Sequence, residues 1–118
     1  DHDDAIYKNL HPYQQHGSVY GVIPAQKHVV FGEQGTWNTE EIRAAGDRIT
    51  VTVNGEVILD GNIREACKGH NVAPDGSEQN PYTTDGRNHP GLFNKRGHIG
   101  LLGHGPGIRF RNIRIKEL

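Results

Sequence analysis

The chain has 118 residues, which is enough for one domain. Hydrophobic residues make up 33% of it and sixteen residues are glycine, which favours a turn-rich sheet with a thin core over a helical bundle. The formal net charge of −1 offers no basic surface for nucleic acid or an anionic membrane, and no apolar run approaches the roughly 20 residues that cross a bilayer.

The first residues, "DHDD", follow no methionine, and we expect upstream sequence to have been removed. Clustered carboxylates supply oxygen ligands for calcium, but we expect a frayed terminus here rather than a calcium site. Further on, "SVYGVIPAQKHVVF" predicts one strand or two, with His16 and Tyr20 at either end of "GSVY".

The segment from residue 35 to 63 predicts three strands in a meander. Residues 37–45 form the first, with Trp37 expected in the core between two sheets. In "RITVTV" apolar residues alternate with threonine, which is typical of a strand with one buried face. Asn54-Gly55 predicts a type I′ hairpin turn, and "EVILD" returns as the partner strand.

Residues 62–68, "NIREACK", predict one helical turn with Asn62 as its N-cap. The only cysteine, Cys67, excludes an internal disulfide, and we interpret it as a small apolar residue of this turn. Residues 69–90 are rich in Gly, Asn, Asp, Pro and Thr without an apolar period. They predict a long surface loop, and loops of this length are often functional.

The segments "HIGLLG" and "IRFRNIRIKEL" predict the last two strands. Ile108 and Phe110 share one parity and Ile113 and Ile115 the other, which indicates a β-bulge at Arg111-Asn112. Six or seven antiparallel strands in all would form a sandwich of two sheets with open edges.

Four blocks, "GSVYGVIPA", "GTWNTEEIRAAGDRITVTVNGEVILD", "GRNHPG" and "GHIGLLGHGPGIRFRNIRIKEL", resemble the C-terminal half of the 3-keto-disaccharide hydrolase domain family. The resemblance implies an all-β fold, a concanavalin-like jelly-roll β-sandwich that is incomplete at its N-terminal side. Residues 1–118 would then be the C-terminal half of a single domain. Because the family is common in secreted bacterial proteins, the resemblance also implies an extracytoplasmic location.

The same resemblance implies a carbohydrate ligand and a protein partner. That partner is either the N-terminal half of the same domain, as a separate fragment, or a second copy of the chain. We expect no nucleic acid and no membrane span.

Ordinary glycosidases use two carboxyl groups that flank the scissile bond. This chain lacks such a pair, since Glu40 and Glu41 are neighbours and would point to opposite faces of a strand. A 3-keto sugar needs less, because the ketone acidifies the proton on C2 and the group on C1 can then be eliminated. One histidine base and one cation for the enolate oxygen would suffice.

Three histidines lie close together in the sequence, His89, His98 and His104. On a regular strand His98 and His104 would share a face but stand about 20 Å apart, so we expect no shared metal ion and no cofactor. Glycines line that same face, as a saccharide groove requires.

These considerations assign His104 as the base and Arg111 as the partner of the enolate or of a hydroxyl group. Five further residues are candidates for substrate binding: His16, Tyr20, Arg87, His89 and His98. The predicted function is cleavage of glycosidic bonds in 3-keto-glycosides, by hydrolysis or elimination. Two alternatives stay open, a non-catalytic carbohydrate-binding module and a half-domain that is inactive until its other half associates.

Overall fold

The computed structural model describes residues 8–103 and 107–118. Its centre is an antiparallel sheet of three strands in sequence order, β1 (Glu40–Ala45), β2 (Arg48–Val53) and β3 (Glu56–Asn62). A 3-10 helix (Pro12–Gln14) precedes the sheet, and a single helical turn, α1 (Ile63–Ala66), follows it. The meander is confirmed, except that β1 begins at Glu40 and is shorter than predicted.

The turn between β2 and β3 is the predicted type I′ turn. Both central residues have positive φ, 50° at Asn54 and 83° at Gly55. The Asn54 side chain also ties the hairpin to the preceding segment. Its Oδ1 accepts from the Thr39 backbone N–H at 3.0 Å, and its Nδ2 donates to the Val30 carbonyl at 3.2 Å.

The core lies on one face of β2 and β3. Val51, Val53, Ile58 and Leu59 are buried together, and partly buried apolar side chains pack against them: Val19, Ile23, Val29, Phe31 and Ile49. The alternation predicted for β2 is therefore confirmed.

A β-bulge interrupts β3 at Ile58. Val51 pairs with Leu59 while Thr52 pairs with Val57, so Ile58 is the extra residue. This explains why two successive residues, Ile58 and Leu59, are both buried in one strand. The Ile58 carbonyl accepts from the backbone N–H groups of Gln26 and Lys27, at 2.7 and 3.2 Å, which holds the incoming segment against the sheet.

The helical turn α1 begins at its predicted N-cap. The Asn62 side chain accepts from the backbone N–H groups of Arg64 and Glu65, which would otherwise lack partners. Cys67 is fully buried at the end of the turn, and its thiol donates to the Ile63 carbonyl. No helix in residues 8–103 and 107–118 has the length and apolarity of a transmembrane span.

Two sequence predictions of strands are wrong. In "SVYGVIPAQKHVVF" the backbone forms a tight turn closed by a single bridge between Val19 and Ile23 rather than a strand. The segments 98–103 and 107–118 contain no strand, because no backbone hydrogen bond joins them to a partner in the described part of the chain. Apolar character alone cannot produce a strand without a neighbour to pair with.

The bulge predicted at Arg111-Asn112 is also absent for the same reason. Instead, Asn112 has a φ of 54°, and this left-handed residue accompanies the change in parity. The apolar side chains of both C-terminal segments are exposed: Ile99, Leu101, Leu102, Ile108, Phe110, Ile113, Ile115 and Leu118. The all-β class is confirmed by the antiparallel sheet and the near absence of helix.

Candidate functional site

The candidate site forms where a tight turn meets the long loop. Within this turn, Val22 N–H donates to the Val19 carbonyl at 2.8 Å, and Val19 N–H donates to Ile23 at 2.9 Å. Tyr20 and Gly21 occupy the corner, and Gly21 has a φ of 74°, which a side chain would disfavour. The turn therefore holds Tyr20 out at its tip, where the residue is 59% exposed.

The loop of residues 69–90 is irregular, as predicted, but its polar side chains build an internal frame. Asn80 is completely buried, and its Nδ2 donates to the His70 carbonyl at 2.8 Å while its Oδ1 accepts from Tyr82 N–H at 3.0 Å. The Thr83 hydroxyl donates to the Arg87 carbonyl at 2.8 Å. These bonds replace the ladder of a regular element, so the loop has a defined shape.

Asn71 fixes the end of the loop in the same manner. His89 N–H donates to the Asn71 carbonyl at 2.7 Å, and the Asn71 side chain donates to the carbonyls of His89 and Pro90, both at 3.2 Å. The backbone of His89 is therefore held on both sides by one residue.

The tight turn docks onto this loop through its backbone. The Gly21 carbonyl accepts from the N–H groups of Thr84 and Asp85, at 2.9 and 3.1 Å. The Thr84 hydroxyl donates to the Val22 carbonyl at 2.8 Å. As a result, Gly21 lies directly against the side chains of Asp85 and His89.

Asp85 and His89 form a hydrogen-bonded pair of side chains. Oδ1 of Asp85 lies 3.1 Å from Nε2 of His89, and the same oxygen accepts from the Arg87 backbone N–H at 3.0 Å. The Asp85 side chain is 7% exposed and that of His89 is 23% exposed. A Cβ at position 21 would collide with the Asp85 carboxyl group and stand 2.8 Å from Nε2 of His89, so glycine permits the close approach.

The environment keeps Asp85 ionised. Burial raises the pKa of the Asp85 carboxyl, but the hydrogen bonds with His89 and with the Arg87 N–H outweigh it, so the pKa lies below its ordinary value of 3.8. A carboxylate only accepts hydrogen bonds, so the proton between the two groups sits on Nε2 of His89. In the neutral ring Nδ1 then carries the lone pair and can act as a base.

An aromatic cluster of His11, Tyr13 and Tyr20 surrounds the tip of the turn. The rings of His11 and Tyr13 are stacked with centroids 5.2 Å apart, and the rings of Tyr13 and Tyr20 meet edge to face at 5.9 Å. Nε2 of Gln14 donates to the Tyr20 hydroxyl at 2.7 Å, and its Oε1 accepts from His11 N–H at 2.9 Å. This one amide links both ends of the cluster.

Of the sequence candidates, Arg87 and His89 lie together in the loop, and Tyr20 is the neighbour of Gly21, which lies against Asp85 and His89. Arg87 lies between Asp85 and His89 in the loop and its side chain is exposed. His16 is placed elsewhere, since its Nε2 lies 3.2 Å from the Glu40 carboxylate and its ring contacts Phe31 edge to face. His98 is exposed in the segment before residue 103. His104, the predicted base, lies outside the described residues, as does "DHDD".

Arg111 lies over the face of Trp37, with its guanidinium carbon 3.9 Å from the ring centroid. This cation–π contact attaches the C-terminal segment to the residues just before β1. The prediction that Trp37 is a core residue is wrong, because its side chain is 48% exposed. No partner sheet covers it in the described part, so one face of the indole contacts Arg111 instead.

Sequence reasoning missed Asp85 and Gly21. A signal for Asp85 was present, because "DGRNH" joins a turn-forming Asp-Gly to a histidine four residues after the aspartate. Nothing in the sequence indicated Gly21, since its role depends on a loop that lies far along the chain. Across residues 8–103 and 107–118, no three His, Cys, Asp or Glu side chains form a group that could hold a metal ion.

Comparison with known proteins gives the chemistry of the family. The model of the 3-keto-alpha-glucoside-1,2-lyase-like domain matches residues 2–116. Among solved structures, the chain is similar to one described as a "Putative glycosyl hydrolase" from Parabacteroides distasonis ATCC 8503, at 30% identity and a TM-score of 0.51. That match covers 65% of this chain and 39% of the other, so the chain spans well under half of its neighbour.

No curated protein matches the chain. Both similarities nevertheless concern glycoside cleavage, and the family match includes the tight turn, the sheet and the Asp85–His89 loop. This chain belongs to the family of 3-keto-alpha-glucoside-1,2-lyase-like domains.

Proposed function

We propose that this chain contributes a site that cleaves glycosidic bonds in 3-keto-glycosides, with His89 as its base. The hydrogen bond between Asp85 and His89 carries the proposal. It fixes the imidazole in one orientation, keeps the proton on Nε2 and leaves the lone pair on Nδ1. The family match supports a keto sugar as the substrate class.

The chemistry needs only one base and one donor. Nδ1 of His89 takes the proton from C2 of the sugar, and the electron pair moves into the C3 carbonyl to form an enolate. The enolate then collapses to a double bond between C1 and C2, while the bond from C1 to oxygen breaks and the aglycone leaves with that electron pair. The aglycone oxygen takes up a proton from the His89 imidazolium, which restores the neutral base, and water adds across the double bond between C1 and C2 when the outcome is hydrolysis.

Asp85 stabilises this sequence of steps without touching the sugar. When His89 becomes an imidazolium, the carboxylate beside Nε2 offsets the new positive charge. We propose Arg87, exposed beside the pair, as the donor to the enolate oxygen. Arg111 remains the alternative donor, Tyr20 a substrate-binding residue and His98 a candidate for the rim of the site. His16, beside Glu40, remains a candidate for a substrate contact away from the Asp85–His89 pair.

Aglycone release from a 3-keto-glucoside tests the proposal directly. His89→Ala is expected to lower the rate by about a hundredfold or more, the usual contribution of a general base. His104→Ala is the matched variant, because His104 is the other candidate base. If His104→Ala abolished release and His89→Ala left it unchanged, the assignment would pass to His104. Arg87→Ala and Arg111→Ala separate the two donors in the same assay.

A second candidate function is a non-catalytic carbohydrate-binding module. The observation that favours it is the exposed, fixed ring of Tyr20, which suits a sugar face with or without chemistry. Binding of an unoxidised glycoside, with no turnover of the 3-keto form by the full chain, would support the module over the enzyme.

We also propose that the chain works outside the cytoplasm and pairs with the N-terminal half of a family domain or with a second copy. The support for the partner is the row of exposed apolar side chains in residues 98–103 and 107–118, together with the outer edge of β1, which pairs with no other strand in the described residues. The proposed location rests on the resemblance to the family alone. Native mass measurement checks the partner, since a monomer that stays soluble at high concentration would contradict it.

A further inference from the structure

The aromatic cluster of His11, Tyr13 and Tyr20 lies outside the proposed base and donor. Tyr20 is 59% exposed and His11 is also exposed. Their positions are nevertheless fixed, because Gln14 binds the Tyr20 hydroxyl and the His11 backbone, and Tyr13 contacts both other rings. Exposed rings held in place lose little conformational entropy when a ligand binds them.

The cluster is linked to Asp85 and His89 through the peptide bond between Tyr20 and Gly21. Tyr20 is the corner residue before Gly21, and Gly21 lies against Asp85 and His89. Consecutive Cα atoms stand about 3.8 Å apart, so the backbone of Tyr20 adjoins the pair, and we take a glycoside bound at His89 to extend from there toward the Tyr20 ring. The part of a glycoside just beyond C1 is its leaving group.

We propose that Tyr20, supported by Tyr13 and His11, forms a subsite that stacks against a flat ring of the leaving group. The ligand chemistry is an apolar ring face, which either an aryl group or the C–H face of a pyranose provides. The Tyr20 oxygen accepts from Gln14, so its own proton is available to donate to a hydroxyl or carbonyl oxygen on that ring. The inference rests on the proposed function for the orientation of the glycoside.

Three glucosides with different leaving groups test the subsite in the full chain: 4-nitrophenyl, glucosyl and methyl. The 4-nitrophenyl and glucosyl leaving groups contain a ring, and the methyl leaving group does not. Binding of the unoxidised compounds is followed through the NMR signals of the tyrosine rings, and cleavage of their 3-keto forms through kcat/KM. Tyr20→Ala is expected to weaken both ring-bearing ligands about two- to tenfold, the usual contribution of one aromatic contact, and to leave the methyl glucoside unchanged.

Two variants control the test. Tyr20→Phe keeps the ring, so it retains most of the preference for ring-bearing ligands. Val30→Ala removes another exposed apolar side chain, outside the cluster, and is expected to change nothing. An equal loss for all three ligands in Tyr20→Ala, or an equal effect of Val30→Ala, would overturn the subsite.

The two proposals fail separately. If the chain cleaves 3-keto-glycosides without any preference for a ring-bearing leaving group, the subsite is wrong and the proposed function stands. If ring-bearing glycosides bind through Tyr20 but no 3-keto form is cleaved, the subsite stands and the proposed function is wrong. Aryl and glucosyl leaving groups that respond differently to Tyr20→Ala identify which ring the subsite takes.

Discussion

Asp85 accepts a hydrogen bond from Nε2 of His89 at 3.1 Å, and the corner of a tight turn at Gly21 covers both side chains. The partners stand four residues apart in an irregular loop, so no helix brings them together. Turn geometry and side-chain hydrogen bonds within the loop do so instead. The arrangement is therefore only as firm as those polar contacts.

Exchange of Asp85 for asparagine tests the orienting role. An asparagine amide can donate to Nε2, which would move the ring proton to Nδ1 and remove the base. Asp85→Asn is therefore expected to lower kcat for cleavage of a 3-keto-glucoside by about a hundredfold or more while KM changes little. Steady-state kinetics across pH measure this.

The matched variant for this exchange is Glu41→Gln, which removes a carboxylate on an exposed position of β1. It should behave as the unmodified chain. A purely structural role for Asp85 would instead reduce the amount of folded protein without changing kcat for the folded fraction.

Gly21→Ala is expected to destabilise the chain by about 2 kcal/mol or more. The methyl group would occupy a left-handed backbone position, at a φ of 74°, and collide with the Asp85 carboxyl group. Urea unfolding followed by circular dichroism measures the loss.

Gly35→Ala separates the two causes. Gly35 also has a positive φ, of 88°, but nothing lies within 4 Å of the position of its Cβ. The additional loss of stability in Gly21→Ala, compared with Gly35→Ala, is the free-energy cost of the collision with Asp85 and His89. Equal losses would show that Gly21 is needed for its backbone conformation alone.

The hydrogen bonds of Asp85 also predict a dependence of stability on pH. Because folding lowers the pKa of Asp85, the folded state binds fewer protons there than the unfolded state does. This contribution to stability is fully present above the ordinary pKa and is lost as the pH falls through the lowered one. Asp85→Asn should therefore reduce the decrease in the free energy of unfolding that occurs below about pH 4. Urea titrations of both chains at pH 7 and pH 3 measure this decrease.

Asn80 supports the loop from inside. Its removal in Asn80→Ala leaves the His70 carbonyl and the Tyr82 N–H without their partner in a buried place, which costs about 1–3 kcal/mol. Hydrogen exchange in residues 69–90 should rise. The neighbouring Gln79→Ala removes an exposed side chain and should leave exchange unchanged, and similar rates in both variants would show that the frame does not depend on Asn80.

Much of the local structure could be read from the sequence. The alternating apolar residues of β2, the Asn54-Gly55 turn and the Asn62 cap are all observed. Each depends on residues within a few positions of one another, whose backbone preferences act over that same range. The resemblance to the family also held, because it was carried by long blocks of sequence.

The wrong predictions concern contacts between residues that are far apart in the sequence. Trp37 was expected in the core and the C-terminal segments in strands, but those states require neighbours from outside the local sequence. In residues 8–103 and 107–118 no second sheet covers Trp37, which contacts Arg111 instead, and no strand pairs with the C-terminal segments. A bulge was expected at Arg111-Asn112, but the structure has one at Ile58. There the Ile58 carbonyl accepts hydrogen bonds from the backbone N–H groups of Gln26 and Lys27.

By itself, the sequence determined the three-strand meander, its hairpin turn, the short capped helix and the family. Only the tertiary structure decided that Gly21 lies on Asp85 and His89, since that contact joins two turns across the chain. Short-range backbone preferences are encoded in each residue, whereas a site depends on which distant hydrogen-bonding groups satisfy each other after folding.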